Sequence, residues 1–317
     1  MKLFRGVTNI PPNFTGCVAS IGNFDGVHLG HQVIIQKLIE ISGVLKQPSV
    51  LITFEPQPNE FFSDPETTPP RLMRFREKWL TLQTFSLNYL LCLPFNKSLA
   101  DFSAESFIEK ILVHHLKVKH VLVGDDFQFG KHRSGNINTL QEGGKKFNFT
   151  VSHLPTYKIA DERVSSSNIR STLQNGDLEK ARILLGKDYG IFGKIVHGSK
   201  RGRMIGFPTA NIFLHRKIAP LHGVYAVKIK IAATNCGGLL FSWYGVANIG
   251  TRPTVDGTRS LLEIHIFDFD ADIYGRSICV EFKKKLRDEK RYHSFELLRQ
   301  QILNDAKEAR AYFALMP

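Results

Sequence analysis

The sequence has few cysteines, and none are paired in a way that suggests a metal site. Its four cysteines, Cys17, Cys92, Cys236 and Cys279, lie far apart among 317 residues without a C-x-x-C motif. Neither a zinc ribbon nor a disulfide framework is therefore expected. This use of cysteine fits a reducing compartment, and we expect a cytoplasmic protein.

Long apolar runs are also missing. No stretch approaches the ~20 apolar residues that a membrane-spanning helix needs. Lys2 and Arg5 are followed by Pro11-Pro12 rather than by an apolar segment, so we predict no signal peptide. We therefore expect no membrane partner.

Acidic residues are outnumbered by basic ones. The chain carries 42 Lys and Arg against 29 Asp and Glu, a formal net charge of +13. Such a balance indicates an anionic partner: nucleic acid, anionic lipid or a phosphate-rich small molecule.

The length predicts two domains of different character, which we place at residues 1–185 and 186–317. In the first half, apolar strands alternate with helical patterns, which predicts an α/β domain with a parallel sheet covered on both faces. The strands are expected at residues 17–21, 49–54, 89–93 and 120–124, and the helices at 30–45, 71–85 and 103–116.

After Gly186 the pattern becomes rich in β-structure. Several short strands without helical crossovers predict an antiparallel barrel or sandwich, followed by one terminal helix. The strands are expected at 189–196, 223–231, 240–247, 261–269 and 277–282, and the helix at 294–315.

The segment 22–31 follows the first predicted strand and opens the first helix. His28 and His31 are three residues apart and can share one helix face, next to a helix N-terminus that favours phosphate. Gly30 between them would let a nucleotide approach the backbone. The natural task of this H-x-G-H arrangement is to stabilise charge on an α-phosphate under attack. Two surface histidines or half of a metal site are the alternatives.

A serine run at 165–167, followed by Arg170, is a second candidate phosphate site. Hydroxyls and backbone N–H groups at the start of a helix bind phosphates, and an arginine can hold them bidentately. The alternative is an ordinary serine-rich helix cap.

Two further constellations lie in the second half. Gly198, Lys200 and Arg203 suit a flexible loop that covers phosphates, although such loops also contact nucleic acids. No G-x-x-x-x-G-K-[ST] motif occurs, which excludes a Walker-type site. Thr209 and Asn211 are two apart on an extended segment and would present hard oxygen ligands for Mg²⁺ on one side.

Glu263 lies within an apolar predicted strand. A carboxylate there can accept a proton from an attacking hydroxyl. The alternative is an exposed strand residue on the solvent face.

Taken in order along the chain, these motifs resemble those of bacterial bifunctional riboflavin kinase/FAD synthetases, a branch of the H-x-G-H nucleotidyltransferases. The resemblance covers essentially the whole chain. It is carried by residues 22–31, 53–58, 94–95, 123–127, 164–170, 206–211, 245–253 and 286–289.

The resemblance implies a Rossmann-like nucleotidyltransferase domain that transfers AMP from ATP to FMN, and a β-barrel domain that phosphorylates riboflavin. ATP is then a substrate, Mg²⁺ the metal, and FMN and FAD the products; we expect a monomer or weak oligomer that binds no nucleic acid. The family pattern makes His28, His31 and Glu263 catalytic. It assigns flavin binding to Arg287 and metal binding to Thr209 and Asn211. The residues to which it assigns nucleotide or phosphate binding are Gly22, Asn23, Phe24, Asp25, Gly30, Asp126, Arg163, Ser165, Ser166, Ser167, Arg170, Gly198, Lys200 and Arg203.

Some positions depart from the pattern. Ser167 replaces the usual Thr but keeps the hydroxyl, and Gln128 and Asn136 stand where Arg and Asp are common, so we assign these two no role. Two other functions remain open: a non-catalytic nucleic-acid-binding protein, and a nucleotidyltransferase acting on a pantetheine or nicotinate compound.

Overall fold

The computed structural model describes residues 1–64, 67–197, 206–214, 218–232, 240–254 and 257–315. The chain divides into two compact units, Met1–Pro69 with Met73–Ser166, and Pro70–Leu72 with Ser167–Pro317. The main division falls after Ser166, earlier in the chain than the domain boundary that we expected after residue 185. The boundary after residue 185 stays a prediction. No helix in the described ranges is long and apolar enough to cross a membrane.

The first unit contains a six-stranded parallel sheet. Its strands follow the spatial order β1-β4-β3-β2-β5-β6. They are β1 Lys2–Arg5, β2 Cys17–Ile21, β3 Ser49–Glu55, β4 Tyr89–Pro94, β5 Val118–Gly124 and β6 Thr150–Leu154. The predicted parallel sheet is confirmed, although the sequence analysis missed the two edge strands, β1 and β6.

Helices cover both faces of this sheet. They are α1 Leu29–Leu45, α2 Pro58–Phe62, α3 Phe75–Leu82, α4 Lys97–Ala100, α5 Ala104–Phe107 and α6 Ile137–Phe147, with a π-helical segment, Ile108–His115, after α5. Helix α3 is shorter than predicted because Glu77 accepts a hydrogen bond from the backbone N–H of Arg74 at 2.6 Å and caps the helix there. Two apolar clusters form the core, one on each face, and every residue of β2 is buried.

The strand order reverses next to β2. The chain runs from β2 through β3 to β4 in one direction, and then returns to place β5 on the other side of β2. In open parallel sheets the carboxyl ends of the strands at such a switch point form the ligand crevice. The segments after β2 and β5 therefore border the expected binding site.

The second unit is a closed barrel in which every strand pair is antiparallel, so the sandwich alternative is wrong. Its order is β10-β13-β12-β11-β14-β9. The strands are β9 Gly190–Val196, β10 Ala210–Phe213, β11 Gly223–Ala232, β12 Leu240–Thr254, β13 Gly257–Ile266 and β14 Ser277–Arg287. Helix α9, Phe295–Ala314, starts at the N-cap Ser294 as predicted.

Three short elements connect the two folds along the chain. A hairpin of β7 Lys158–Ile159 and β8 Glu162–Arg163 belongs to the first unit. Helix α7, Ser166–Gln174, begins at the last residue of that unit, and α8, Leu178–Leu185, lies in the second.

Candidate active sites

The segment 22–31 comprises the connection from β2 to α1 at the switch point and the first three residues of α1. Its backbone enters the left-handed region at Phe24 (φ 47°), Gly26 (φ 86°) and Val27 (φ 44°). Non-glycine residues in this region cost on the order of 1–3 kcal/mol each and persist only where their surroundings hold them. Phe24 and Val27 are both buried in the core under α1, and this packing holds the turn.

The two histidines of this segment lie face to face. The rings of His28 and His31 stack with centroids 3.6 Å apart and planes 18° apart. His28 is the N-cap of α1, and its Nδ1 accepts a hydrogen bond from the backbone N–H of His31 at 3.3 Å. Because Nδ1 accepts this hydrogen bond, the ring carries its proton on Nε2.

His31 is held in its neutral form. Burial, the neighbouring His28 and Lys78 together keep the pKa of His31 well below its usual range. Its Nδ1 is buried and has no hydrogen-bond partner among the residues that the structure describes. The pair therefore places ring N–H groups at a helix N-terminus.

Gly30 makes this stacking possible. A Cβ at this position would lie 3.3 Å from two atoms of the His28 ring and 3.5 Å from the carbonyl oxygen of Val164. The sequence analysis attributed Gly30 to the approach of a nucleotide; the structure adds that its missing side chain accommodates the imidazole.

Asp25 connects this turn to two other segments of the same unit. Its side chain is 2% exposed and accepts the backbone N–H of Met73 at 3.0 Å. Its carbonyl accepts the hydroxyl of Ser166 at 2.8 Å. Asp25 thus anchors the loop, and the serine run begins beside it.

Further charged groups follow β5. Asp126 forms an ion pair with Arg163 of β8, and both side chains are about half exposed. The adjacent Asp125 accepts the backbone N–H of Thr156 at 2.9 Å and its hydroxyl at 2.8 Å. Hydrogen bonding from Thr156 holds the pKa of Asp125 below its usual range. The predicted Asp126 and Arg163 are therefore brought together.

An aromatic cavity that the sequence analysis missed lies in this unit. It has a volume of about 430 Å³. Its walls include Phe54 near the end of β3, Phe95 just after the adjacent β4, and Phe127 after β5, which lies on the other side of β2. Gln128 and Arg133 also line it, and the Nε of Arg133 donates to Gln128 at 2.8 Å. Such a cavity suits a flat aromatic ligand.

The remaining residues of the serine segment belong to the second unit. Arg170 donates from Nε to the carbonyl of Pro70 at 2.7 Å. Ser167 precedes it on α7. The phosphate-binding roles of Ser165, Ser166, Ser167 and Arg170 remain predictions.

In the barrel, the predicted kinase residues share one face. Glu263 of β13 lies directly opposite Asn211 of β10 on one side and Asn248 of β12 on the other. Residues that pair in this way project from the same face of a sheet. Leu262 and Ile264 are fully buried inside the barrel, so Glu263 projects from its outer surface, where it is half-buried.

Thr209 and Asn211 are also brought together. The side-chain amide of Asn211 donates to the carbonyl of Thr209 at 3.4 Å, and Asn211 is 5% exposed. Thr209 borders a cavity of about 520 Å³ whose lining includes Pro208, Asp270 and Asp272. The neighbouring His265 contacts the carbonyl of Pro208 through Nδ1 at 3.0 Å. Gly198, Lys200 and Arg203 lie outside the described residues.

Arg287 is occupied by a structural ion pair. Its Nε and Nη2 donate to the carboxylate of Asp305 on α9 at distances of 2.7 to 3.1 Å. Asp305 is 4% exposed and also accepts the side-chain amide of Gln301 at 2.8 Å. This arrangement ties α9 to β14, and the predicted contact of Arg287 with flavin stays a prediction.

Comparison with known proteins finds a matching family model for each half of the chain. The FAD synthetase family model matches residues 10–168, and the riboflavin kinase model matches residues 185–313. A bifunctional riboflavin kinase/FMN adenylyltransferase of Haemophilus influenzae is 45% identical over 99% of both chains. The protein of the same name from Escherichia coli K12 is 43% identical, again over 99% of both. The chain belongs to the bifunctional riboflavin kinase/FMN adenylyltransferase family.

Membership in this family confirms the resemblance drawn from the motifs. A crystal structure of a macrolide-efflux protein from Streptococcus pneumoniae shares the fold with a TM-score of 0.80, at 27% identity over 97% of this chain and 98% of that one. Because both family models match, the two alternatives are set aside: a non-catalytic nucleic-acid binder, and a nucleotidyltransferase for another acceptor.

Proposed function

We propose that the chain makes FAD in two ATP-dependent steps at two separate sites. It is an enzyme of flavin biosynthesis that phosphorylates riboflavin to FMN and then transfers AMP from ATP to FMN. The observation that carries the assignment of sites is that each family model covers its own constellation. The stacked histidines lie in the first, and the Asn211–Glu263–Asn248 row lies in the second.

Adenylyl transfer is assigned to the edge of the parallel sheet at β2. A phosphate oxygen of FMN attacks the α-phosphorus of ATP, and pyrophosphate leaves. Negative charge grows on the α-phosphate oxygens, where ring N–H donors from His28 and His31 stabilise it without reorganising. The N-terminus of α1 contributes its dipole at the same place.

The aromatic cavity is our candidate for the flavin ring. Isoalloxazine is flat and aromatic, so it stacks well on phenylalanine rings. Phe54, Phe95 and Phe127 extend from strand ends on the same edge of the sheet as the segment 22–31. This position would direct the phosphate of FMN along the edge towards the histidines.

Phosphoryl transfer to riboflavin is assigned to the barrel. The 5′-hydroxyl of the ribityl chain attacks the γ-phosphorus of ATP, ADP leaves, and Glu263 accepts the proton of the hydroxyl. Asn211 and Asn248 lie opposite Glu263 on the neighbouring strands, and their side-chain amides donate to the Thr209 carbonyl and to Glu289. Neither step needs a covalent enzyme intermediate, because positioning and electrostatics supply the acceleration.

Thr209 and Asn211 would hold Mg²⁺ in the kinase. A hydroxyl and an amide oxygen are hard ligands that suit this ion; Thr209 borders the 520 Å³ cavity, and the side chain of Asn211 contacts the backbone of Thr209. When bound, Mg²⁺ would neutralise charge on the ATP phosphates. We further propose a cytoplasmic protein, a monomer or weak oligomer, that binds neither membranes nor nucleic acid.

A time course tests the proposed order. The protein is incubated with riboflavin, ATP and Mg²⁺, and the flavins are separated by chromatography. We expect FMN to appear first and FAD to follow with a lag, and supplied FMN to give FAD without a lag. Formation of FAD with no detectable FMN, or no FAD from supplied FMN, would contradict the proposal.

A further inference from the structure

Lys78, on α3, is a charged side chain in an unusual place. It is 1% exposed and is among the largest fully buried side chains of the described residues. Lysine is almost never buried this completely unless its ammonium has partners, because taking the charge out of water is costly. Lys78 is therefore not part of the charged surface, and its burial requires a specific structural reason.

The ammonium lies at the junction of two strand ends. It donates to the carbonyl of Asn23 at 2.5 Å and to the hydroxyl of Thr53 at 3.2 Å. Thr53 donates to the same carbonyl at 3.2 Å. Asn23 stands just after β2, and Thr53 lies near the end of β3. Lys78 thus fixes the first turn of the segment 22–31 against the neighbouring strand.

That segment requires such support. Phe24 directly follows Asn23 and has a left-handed backbone, as does Val27 just before His28. A strained backbone conformation persists only where several neighbouring contacts hold it in place. Lys78 also acts on His31 through its charge, since it is one of the groups that lower the pKa of that ring.

We propose that Lys78 is a positioning residue for adenylyl transfer, whose buried ammonium holds the Asn23 carbonyl and thereby aims the His28–His31 pair at the α-phosphate. It acts through the loop and does not contact substrate. This inference rests on the proposed adenylyl-transfer site.

The test compares Lys78→Met, which keeps the length and apolar stem of the side chain, with Arg76→Met. Arg76 lies two residues earlier on the same helix and is exposed. For each full-length variant, kcat and KM are measured for FAD formation from FMN and ATP, together with riboflavin phosphorylation.

We expect the kcat of FAD formation to fall ~10- to 100-fold in Lys78→Met, because misplacement of catalytic groups by about 1 Å costs up to ~100-fold. The KM for ATP should stay close to that of the wild type, since no substrate contact is lost. Riboflavin phosphorylation should be unchanged, and Arg76→Met should behave like the wild type. An unchanged kcat, a loss confined to KM, or an equal loss in Arg76→Met would overturn the proposal.

Two further variants keep the result interpretable. His31→Ala, measured alongside, tests the proposed site itself. If it retains FAD formation, the site assignment fails; if it loses activity while Lys78→Met does not, only the present inference fails.

Should Lys78→Met lose the near-ultraviolet circular dichroism of its fold, Thr53→Val decides. It removes one hydroxyl of the junction and keeps the charge, and an unchanged kcat in that variant would overturn the proposal.

Discussion

Glu263 is the residue on which the kinase assignment depends most. It occupies the centre of a cross-strand row between Asn211 and Asn248. Directly opposed side chains on one face are within reach of one another, so polar side chains on both neighbouring strands border the carboxylate. A residue in this setting is suited to accept a proton from a bound hydroxyl.

We predict that Glu263→Gln lowers the rate of riboflavin phosphorylation by ~10²- to 10⁴-fold, the usual contribution of a general base. Gln keeps the shape but cannot take up the proton, so riboflavin and ATP should bind as before. Single-turnover phosphorylation and direct flavin binding measure the two effects. Retained kinase activity would make Glu263 a structural strand residue, and lost flavin binding would make it a binding residue.

His31 gives the first unit a defined pH dependence. Burial, His28 and Lys78 hold the pKa of this ring below its unfolded value near 6.5. Between the two values the unfolded chain binds the proton and the folded chain does not, so the free energy of unfolding falls as the pH is lowered. Above the unfolded pKa this contribution is fully present.

We therefore predict that acidification from pH 7 to pH 5 destabilises the wild type more than His31→Gln, which has no titrating ring. Urea unfolding of both proteins, followed at several pH values by circular dichroism, measures the difference. Parallel loss of stability in the two proteins would show that His31 does not titrate in this way.

At the level of elements, the turn between β2 and α1 combines several demands. It must connect the strand to the helix in seven residues, place His28 at the N-cap of a 17-residue helix and stack its ring on His31. Gly30 meets the last demand, because any side chain there would contact the ring of His28 within 3.3 Å. Contacts this close require the ring to shift by a few tenths of an ångström.

We predict that Gly30→Ala lowers the rate of FAD formation about 10-fold or more by displacing His28, since small misplacements of catalytic groups are costly. Riboflavin phosphorylation provides the internal control and should not change. Steady-state assays of both activities in one preparation make the comparison. If Gly30→Ala formed FAD at the wild-type rate, the turn would accommodate the methyl group without moving the histidine.

The sequence predicted elements well where their apolar pattern was continuous. Strands β2 and β3 are buried almost throughout, and both were predicted within one residue at each end. Strands β1 and β6 were missed because they lie at the sheet edges, where Lys2, Arg5 and His153 break the apolar pattern. Helix α6 was missed because Gly143 and Gly144 lower its helix propensity.

The candidate sites divide in the same way. The histidine pair and the row through Glu263 could be predicted because each depends on local spacing or on a recognisable motif. The aromatic cavity could not, because Phe54, Phe95 and Phe127 are distant in the sequence and meet only through the order of the strands. Lys78 was missed for the same reason, since its partners Asn23 and Thr53 lie on other elements.

For the whole molecule, the excess of positive charge is consistent with anionic substrates. A net charge of +13 suits a protein whose substrates are ATP and FMN. The two activities are expected to be separable, since each unit has its own core and its own family model. The position of the boundary decides how well the second unit folds alone.

We predict that fragments 167–317 and 186–317 both convert riboflavin to FMN and that neither makes FAD. The longer fragment should be more stable, because α7 and α8 belong to the same unit as the barrel and Gly176 packs against the side chain of Lys285. Thermal unfolding and flavin chromatography measure these properties. A kinase that needs residues 1–166 for activity would contradict the separation of the sites.

The central claim is that the histidine pair performs adenylyl transfer independently of the kinase. The most direct test is the double variant His28→Ala/His31→Ala in the full-length protein, assayed for both products. Loss of even one positioned donor costs ~10²- to 10³-fold in comparable sites, so FAD formation from FMN should be abolished while riboflavin is still converted to FMN at the wild-type rate. FAD formation within about threefold of the wild type would contradict the account.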